Sequence, residues 1–248
     1  MSIDFSSLAD DFFINLNVQT TLTLPDSRET ILHFCEVIQK QFPEMTQFYQ
    51  RESGDFVLEA DRDKGSYRWM EIQSNRLTAG FFNPPTAEDA YDFHRWLLDR
   101  SVYFLGIASI DIEALDVLYG FNLDYRGNRD AIVARALYGG SPLGGLIEDG
   151  GCKPIQCDPT LVIGLDEECY MQARINLETR CSSYQVRTGN FDEEPISVYL
   201  TVRTYPRPGR LLNMQDSFID QSEQGEQMLT RHVIPQVIRP IASAIAAS

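Results

Sequence analysis

Hydrophobic and polar residues alternate along residues 170–180 with a period of two. This period places successive side chains on opposite faces of a β-strand. One face of the strand carries apolar or small side chains and the other carries polar and charged ones, which predicts a sheet with one packed face and one wet face. Similar patterns predict further strands at residues 15–24, 56–61, 67–73, 77–82, 117–125, 160–165, 183–187 and 196–205.

Apolar residues at helical spacing predict four helices between these strands. The first follows Ser27, carries its apolar stripe from Ile31 to Phe42, and ends before Pro43. Thr86 is a suitable N-cap for a second helix at residues 87–100, and a third is predicted at residues 129–137. A last helix is expected from about residue 224 onward, where Pro235 and Pro240 must kink or divide it.

The opening strand and helix occur twice, with a constant offset of 101 residues. Alternating strand positions align as Val18 on Tyr119, Thr20 on Phe121, Leu22 on Leu123 and Leu24 on Tyr125, and residues 28–32 align on residues 129–133. The chain is therefore predicted to contain a duplicated β-α-(β)n-α unit, at residues 1–108 and 109–248, within one compact body.

Two such units most simply share one sheet, because each alone could bury only half of its apolar surface. We predict an α+β fold with a curved, mainly antiparallel sheet and helices on one face. The arrangement is saddle-like and pseudo-twofold, and the second face of the sheet is open.

Composition excludes several classes of function. With 43% hydrophobic and 23% charged residues, the chain is typical of a globular protein. A net charge of −15 without a basic block would repel phosphate backbones, so we expect no nucleic acid partner. Neither a membrane span nor a secretory signal is visible, so no membrane association is expected. Five cysteines, an odd number, favour a reducing compartment, and we expect a cytoplasmic protein.

The open sheet face is the best candidate for a binding site. Arginine and tyrosine side chains there could hold a carboxylate or phosphate by forked hydrogen bonds. The alternative is an ordinary solvated face on which the arginines pair with acidic neighbours, each pair contributing roughly 0.2–1 kcal/mol. The candidate ligand-binding residues are Arg174, Arg180, Arg187, Arg203, Tyr170, Tyr199, Tyr205 and, in the first unit, Trp69.

The sequence shows neither a metal site nor a cofactor site. Of the cysteines, Cys152 and Cys157 alone resemble a zinc-binding pair, and Cys169 and Cys181 are expected to face the core. The glycine-rich residues 139–145 lack the Lys-Ser/Thr pair of a phosphate-binding loop. His94 is expected to be a satisfied core residue, and no trio of nucleophile, base and orienting group is visible.

Three hypotheses of function remain. The first is a non-enzymatic binding or interaction module whose open sheet face takes a protein partner or a small anionic ligand. The alternative is a hydrolase or isomerase acting on a small organic acid in a cleft between the two halves, with Glu71 or Glu178 as base. The third is assembly, with the C-terminal helix docking on a neighbour, and a homodimer belongs among the expected partners.

Overall fold

The fold is described by a computed structural model that covers residue 5 and residues 7–148 and 152–248. Nine strands form a single sheet in the order β2-β3-β4-β5-β1-β6-β9-β8-β7, and every neighbouring pair is antiparallel. The strands are β1 (Asp11–Thr20), β2 (Gln47–Gln50), β3 (Phe56–Glu59), β4 (Tyr67–Gln73), β5 (Arg76–Phe82), β6 (Ile112–Tyr125), β7 (Thr160–Gly164), β8 (Met171–Glu178) and β9 (Glu194–Thr204).

Helices pack on one face of this sheet, as predicted. The described helices are α1 (Arg28–Gln41), α2 (Ala87–Phe104), α3 (Arg129–Tyr138), α4 (Gly145–Glu148), α5 (Ser183–Thr188), α6 (Met214–Met228) and α7 (Arg239–Ala246), with a π-helical segment at Leu229–Ile238 between the last two. Helix α6 packs on β6 and β9, and α2 packs on β1 and β5. The α+β class and the antiparallel sheet with one open face are therefore confirmed.

Strand β1 shows why the sheet has two different faces. Its residues alternate between buried and half-buried along its whole length. Ile14, Leu16 and Val18 are fully buried against the helices, and Asn15 and Asn17 lie on the other face. Burial of each large aliphatic side chain contributes about 1.5–3 kcal/mol. A one-residue slip of this strand would turn Ile14, Leu16 and Val18 toward the open face and lose this contribution.

The strand order is symmetric about the central pair of β1 and β6, apart from the additional edge strand β2. Helices α1 and α3 begin at Arg28 and Arg129, and they are capped by Ser27 and Asn128 at the predicted offset. This order is the one expected of two units that meet at their first strands. Duplication of the unit stays a prediction.

The predicted strand at residues 183–187 is wrong, because these residues form helix α5. The Ser182 hydroxyl accepts a hydrogen bond from the backbone N–H of Gln185, and the side-chain oxygen of Gln185 accepts one from the backbone N–H of Ser182. Gly189 then ends the helix at a φ of 73°. These capping bonds satisfy the backbone groups at the ends of a short helix, and they outweigh the alternation of its residues.

Two further elements differ from the prediction. Strand β2 was not predicted, and it pairs with β3 at the edge of the sheet. The last helical region begins at Met214, earlier than expected, because Asn213 caps α6. As predicted, the last helical region is divided near its two prolines, since Pro235 lies within the π-helical segment and Pro240 lies in the first turn of α7.

His94 is a core residue as predicted, but it is not satisfied. The side chain is fully buried, and neither ring nitrogen has a hydrogen-bond partner. The rings of Phe93 and Phe218 lie 5.5 and 5.9 Å from it. Burial, with a smaller effect of the Arg68 charge, lowers the pKa of His94 from its ordinary 6.5 to about 3. The imidazole is therefore neutral in the folded protein.

This pKa shift predicts a loss of stability in acid. Below about pH 6.5 the unfolded chain binds a proton at His94 that the folded chain does not. The free energy of unfolding should consequently fall by up to ~1.4 kcal/mol per pH unit between about pH 6.5 and pH 3. His94→Leu should remove this contribution, measured as the difference between wild-type and variant urea unfolding at several pH values. The matched variant His232→Gln, at an exposed histidine, should keep the wild-type slope, and an unchanged slope in His94→Leu would contradict the assignment.

Candidate functional site

The open face of the sheet contains a concavity of about 480 Å³. It draws on both halves of the chain, since β1 and β5 contribute one side and β6 to β9 contribute the other. The cavity is lined by Asn17, Arg76, Asp116, Leu118, Val162, Gln172, Arg174, Asn176, Glu178, Tyr199, Thr201, Arg203 and Tyr205.

Arg203 is held in the cavity wall by a forked ion pair. Its Nε and Nη2 atoms donate to the two carboxylate oxygens of Asp116, each at 2.6 Å. Asp116 is buried and lies directly opposite Arg203 in the pairing of β6 with β9. The hydrogen bond to Asp116 raises the pKa of Arg203, despite the opposing effect of burial. This guanidinium is therefore already neutralised, and it shapes the wall of the cavity.

Arg180 lies at the rim and holds other residues in place. Its guanidinium donates to the Tyr199 hydroxyl at 2.8 Å, to the Glu178 carboxylate at 2.7 Å and to the Ser197 hydroxyl at 2.8 Å. Its backbone adopts a left-handed φ of 50°, and its carbonyl oxygen accepts from buried Arg129 at 3.3 Å. Arg180 thus orients the tyrosine and the glutamate that face the cavity.

Arg174 differs from both of these arginines. It is exposed on β8, where it lies opposite Thr201 on β9 and Val162 on β7. Neither neighbour is acidic. Within the part of the chain that the structure describes, its guanidinium makes no hydrogen bond and no ion pair. Arg174 is therefore a cation with all of its side-chain donors available to a ligand.

Arg76 is a second available cation at the far end of the cavity. It begins β5, is exposed, and forms no side-chain bond among the described residues. The two acidic lining residues are already paired, Asp116 with Arg203 and Glu178 with Arg180. The cavity consequently carries unpaired positive charge, although the whole chain has a net charge of −15.

The structure brings together some of the predicted site residues and separates others. Arg174, Arg203, Tyr199 and Tyr205 line the cavity, and Arg180 lies at its rim. Arg187 does not reach the open face, because it lies on helix α5 with its guanidinium 5.6 Å from the Tyr184 ring.

Tyr170 and Trp69 also lie outside the cavity. Tyr170 precedes β8 and borders a separate concavity of about 210 Å³, where the Arg207 guanidinium lies 5.5 Å from its ring. Trp69 is on the open face, but it covers Gly80 on the other side of β1. Four of the eight predicted residues therefore line the cavity, and ligand binding by them stays a prediction.

Arg76 is the main residue that the prediction missed. It lies between the predicted strands at residues 67–73 and 77–82, whereas in the structure it is the first residue of β5. The other additional lining residues follow from the strand parity that was already visible in the sequence. Alternation along β8 places Gln172 and Asn176 on the same face as Arg174.

Two glycines allow aromatic rings to lie flat on the open face beside the cavity. A Cβ atom on Gly120 would lie 2.2 Å from the Phe13 ring, and one on Gly80 would lie 2.5 Å from the Trp69 indole nitrogen. Phe13 continues the row by contacting Tyr199, with their ring centroids 6.2 Å apart. Apolar rings therefore extend from the first half of the sheet to the cavity wall.

The two glutamates proposed as catalytic bases occupy different positions. Glu178 lines the cavity and forms its ion pair with Arg180. Glu71 is buried outside the lining, where it forms an ion pair with Arg51 at 3.0 Å and accepts from Gln73 at 2.9 Å. Only Glu178 is placed to meet a ligand in this cavity.

The cysteines do not form a metal centre in the described part of the chain. No group of three or more His, Cys, Asp or Glu side chains there could hold a metal ion. Cys169 is exposed in the turn before β8, and its prediction as a core residue is wrong because it adopts a left-handed φ of 59° outside the strand. Burial raises the pKa of Cys157 to about 11 and that of Cys35 to about 12, so both thiols are protonated at neutral pH.

Comparison with known proteins adds no assignment, since no family model matches the chain and no curated protein matches its sequence. Among the described residues, none of the helices combines the length and the apolar character needed to cross a bilayer.

The Arg203–Asp116 pair should contribute to stability. Asp116→Asn keeps the side-chain shape but removes the charge that the partly exposed guanidinium binds, so we expect a loss of roughly 1–2 kcal/mol in the free energy of unfolding. Urea unfolding measures this loss. The control is Glu193→Gln, whose pair with Arg126 is highly exposed and should change stability by less than ~0.5 kcal/mol. Equal effects of the two variants would contradict the prediction.

Proposed function

We propose that this protein is a non-enzymatic binding module that holds a small anionic ligand in the open-face cavity. The observation that carries the proposal is the Arg174 guanidinium, which has no partner among the described residues, in a cavity whose acidic lining residues Asp116 and Glu178 are paired. A guanidinium presents a planar fork of donors that matches a carboxylate or a phosphate. Arg174 is the anchor of the ligand in this proposal.

The size and the chemistry of the cavity favour a small ligand over a protein partner. A volume of about 480 Å³ lies within the range of roughly 300–1,000 Å³ of small-molecule sites. Tyr199 and Tyr205 supply aromatic walls, and Gln172 and Asn176 supply neutral donors and acceptors around the cation. A ligand that combines one or two carboxylate or phosphate groups with a short carbon skeleton fits this lining.

The net charge of the protein sets the expected salt dependence. A chain with a charge of −15 repels small anions at long range, whereas contact with Arg174 acts at short range. Moderate salt screens the long-range repulsion more strongly than the contact. Anion binding should therefore weaken less with added salt than binding to a basic protein does.

The test is a titration of the labelled full chain with succinate, citrate and inorganic phosphate, followed by the methyl NMR signals of Leu118 and Val162 in the cavity. We expect saturable shifts with at least one of these anions. Arg174→Gln should weaken that binding by about 10- to 100-fold, because a hydrogen bond to a charged group is worth about 1.5–3 kcal/mol.

Arg187→Gln is the matched control, since it removes an exposed arginine that lies off the sheet. Its binding should equal that of the wild type. Unchanged binding in Arg174→Gln, or equal losses in the two variants, would refute the proposed anchor. The absence of saturable shifts with all three anions would refute the anion site.

An enzyme acting on a small organic acid is the second candidate, favoured by the position of the Glu178 carboxylate on the wall of a cavity that spans both halves. In that case an acid that binds would also be converted, with Glu178 as base. Prolonged incubation with each bound acid, followed by NMR, distinguishes the two candidates. Conversion that is lost in Glu178→Gln while binding persists would establish the enzyme, and a bound acid that stays unchanged would favour the binding module.

A further inference from the structure

The edge strand β7 is unusually open to association. It ends the strand order and pairs only with β8 in the described part of the chain. All five of its residues are exposed, and the three consecutive aliphatic residues Leu161, Val162 and Ile163 are 58%, 53% and 38% exposed. The strand contains no charge and no proline, which are the usual features that protect an edge from pairing with another chain.

Hydrogen bonding fixes which backbone groups of β7 are free. Leu165 donates to the Met171 carbonyl at 2.7 Å, and Leu177 donates to the Pro159 carbonyl at 3.1 Å. In an antiparallel pair, residues bonded to the neighbouring strand alternate with residues whose N–H and C=O groups point away. The bonded residues of β7 are therefore the odd-numbered ones. Thr160, Val162 and Gly164 present their backbone groups at the free edge.

We propose that two copies of this chain pair antiparallel through their β7 strands, about a twofold axis at Val162. That register places Val162 opposite its own counterpart and Thr160 opposite Gly164 of the second copy. All three outward residues then exchange backbone hydrogen bonds with the same three residues of the other copy. An axis at Leu161 or Ile163 would match fewer of these groups.

The side chains are self-complementary in the same register. Leu161 lies opposite Ile163 of the second copy, on the helix side of the sheet, so these two exposed aliphatic side chains cover each other. Such a contact is isologous, as required of a closed twofold dimer. A basic or otherwise charged partner strand would find no opposite charge within residues 160–164. The second copy is therefore the occupant that this edge favours.

Acidic residues flank the strand, but their carboxylates are directed into their own chain. Asp158 accepts from the Thr179 backbone N–H at 2.9 Å, and Asp166 accepts from Tyr170 at 2.8 Å and from Arg207 at 2.6 Å. They still repel their counterparts across the axis, and each copy has a charge of −15. Added salt should screen this repulsion and strengthen the dimer.

This pairing would also extend the open face. Val162 lines the cavity from β7, and its counterpart would stand beside it on the same side of the enlarged sheet. The two cavities of the dimer would thus lie next to each other, and each copy would add an apolar residue to the border of the other's cavity. The dimer does not require a bound ligand in order to form.

Sedimentation of the full chain over a wide range of concentration tests the proposal. The wild type should sediment as a dimer whose dissociation constant decreases with added salt. Leu161→Lys should sediment as a monomer at concentrations at which the wild type is dimeric, because it places two charges in the contact. Ile110→Lys is the control, since Ile110 is 79% exposed and lies away from β7, and it should remain dimeric. A monomeric wild type or a dimeric Leu161→Lys would overturn the proposal.

A second measurement keeps the test valid if Leu161→Lys fails to fold. In a background in which exposed Cys152 and Cys169 are changed to Ser, Val162→Cys should form a disulfide-linked dimer under mild oxidation, because Cα atoms opposite each other in a bonded antiparallel pair are about 5.5 Å apart. Tyr103→Cys, at a residue of α2 that is 76% exposed, should not form a disulfide-linked dimer. Equal cross-linking of the two variants, or none at position 162, would refute the axis at Val162.

Discussion

The pairing of β1 with β6 is the constraint on which the rest of the structure depends. It joins the two halves of the chain through an antiparallel register that runs from Asp11 opposite Asn122 to Thr20 opposite Ile112. Because residues directly opposite each other point to the same face, buried Ile14 and Tyr119 fix one common core face for both halves. The helices of both halves then pack on that side, and among the described residues no helix covers the opposite face.

The open face explains why Arg174 has no partner among the described residues while its neighbours Arg203 and Arg180 are bound. A charged side chain on a wet face pairs only with what the register places beside it. Arg203 lies opposite Asp116 and forms a forked ion pair, whereas Arg174 lies opposite Thr201 and Val162, which cannot accept its charge. The availability of Arg174 is therefore a consequence of strand register. The local sequence around it, which contains Glu178 four residues later, would have suggested a partner.

This dependence on register also marks the limit of prediction from the sequence. Alternation along β8 and β9 was sufficient to place Arg174, Arg203 and Tyr199 on one face, and the α+β class followed from the order of elements. The partner of Arg203 is 87 residues away in the chain and could not be read from any local pattern. The position of Arg187 differs from the prediction for another reason, because the Ser182–Gln185 capping box makes its segment helical despite the alternation of its residues.

The proposed ligand site and the proposed dimer contact share strand β7. Val162 borders the cavity with its side chain, and the same residue presents its backbone at the free edge. Pairing with a second copy would place a second Val162 side chain beside this border, so a ligand that contacts it would gain apolar contact on binding to the dimer. Coupling between two equilibria is reciprocal. The ligand would therefore tighten the dimer by the same factor by which the dimer tightens ligand binding. A ligand held by Arg174 alone, without contact to Val162, would bind monomer and dimer equally.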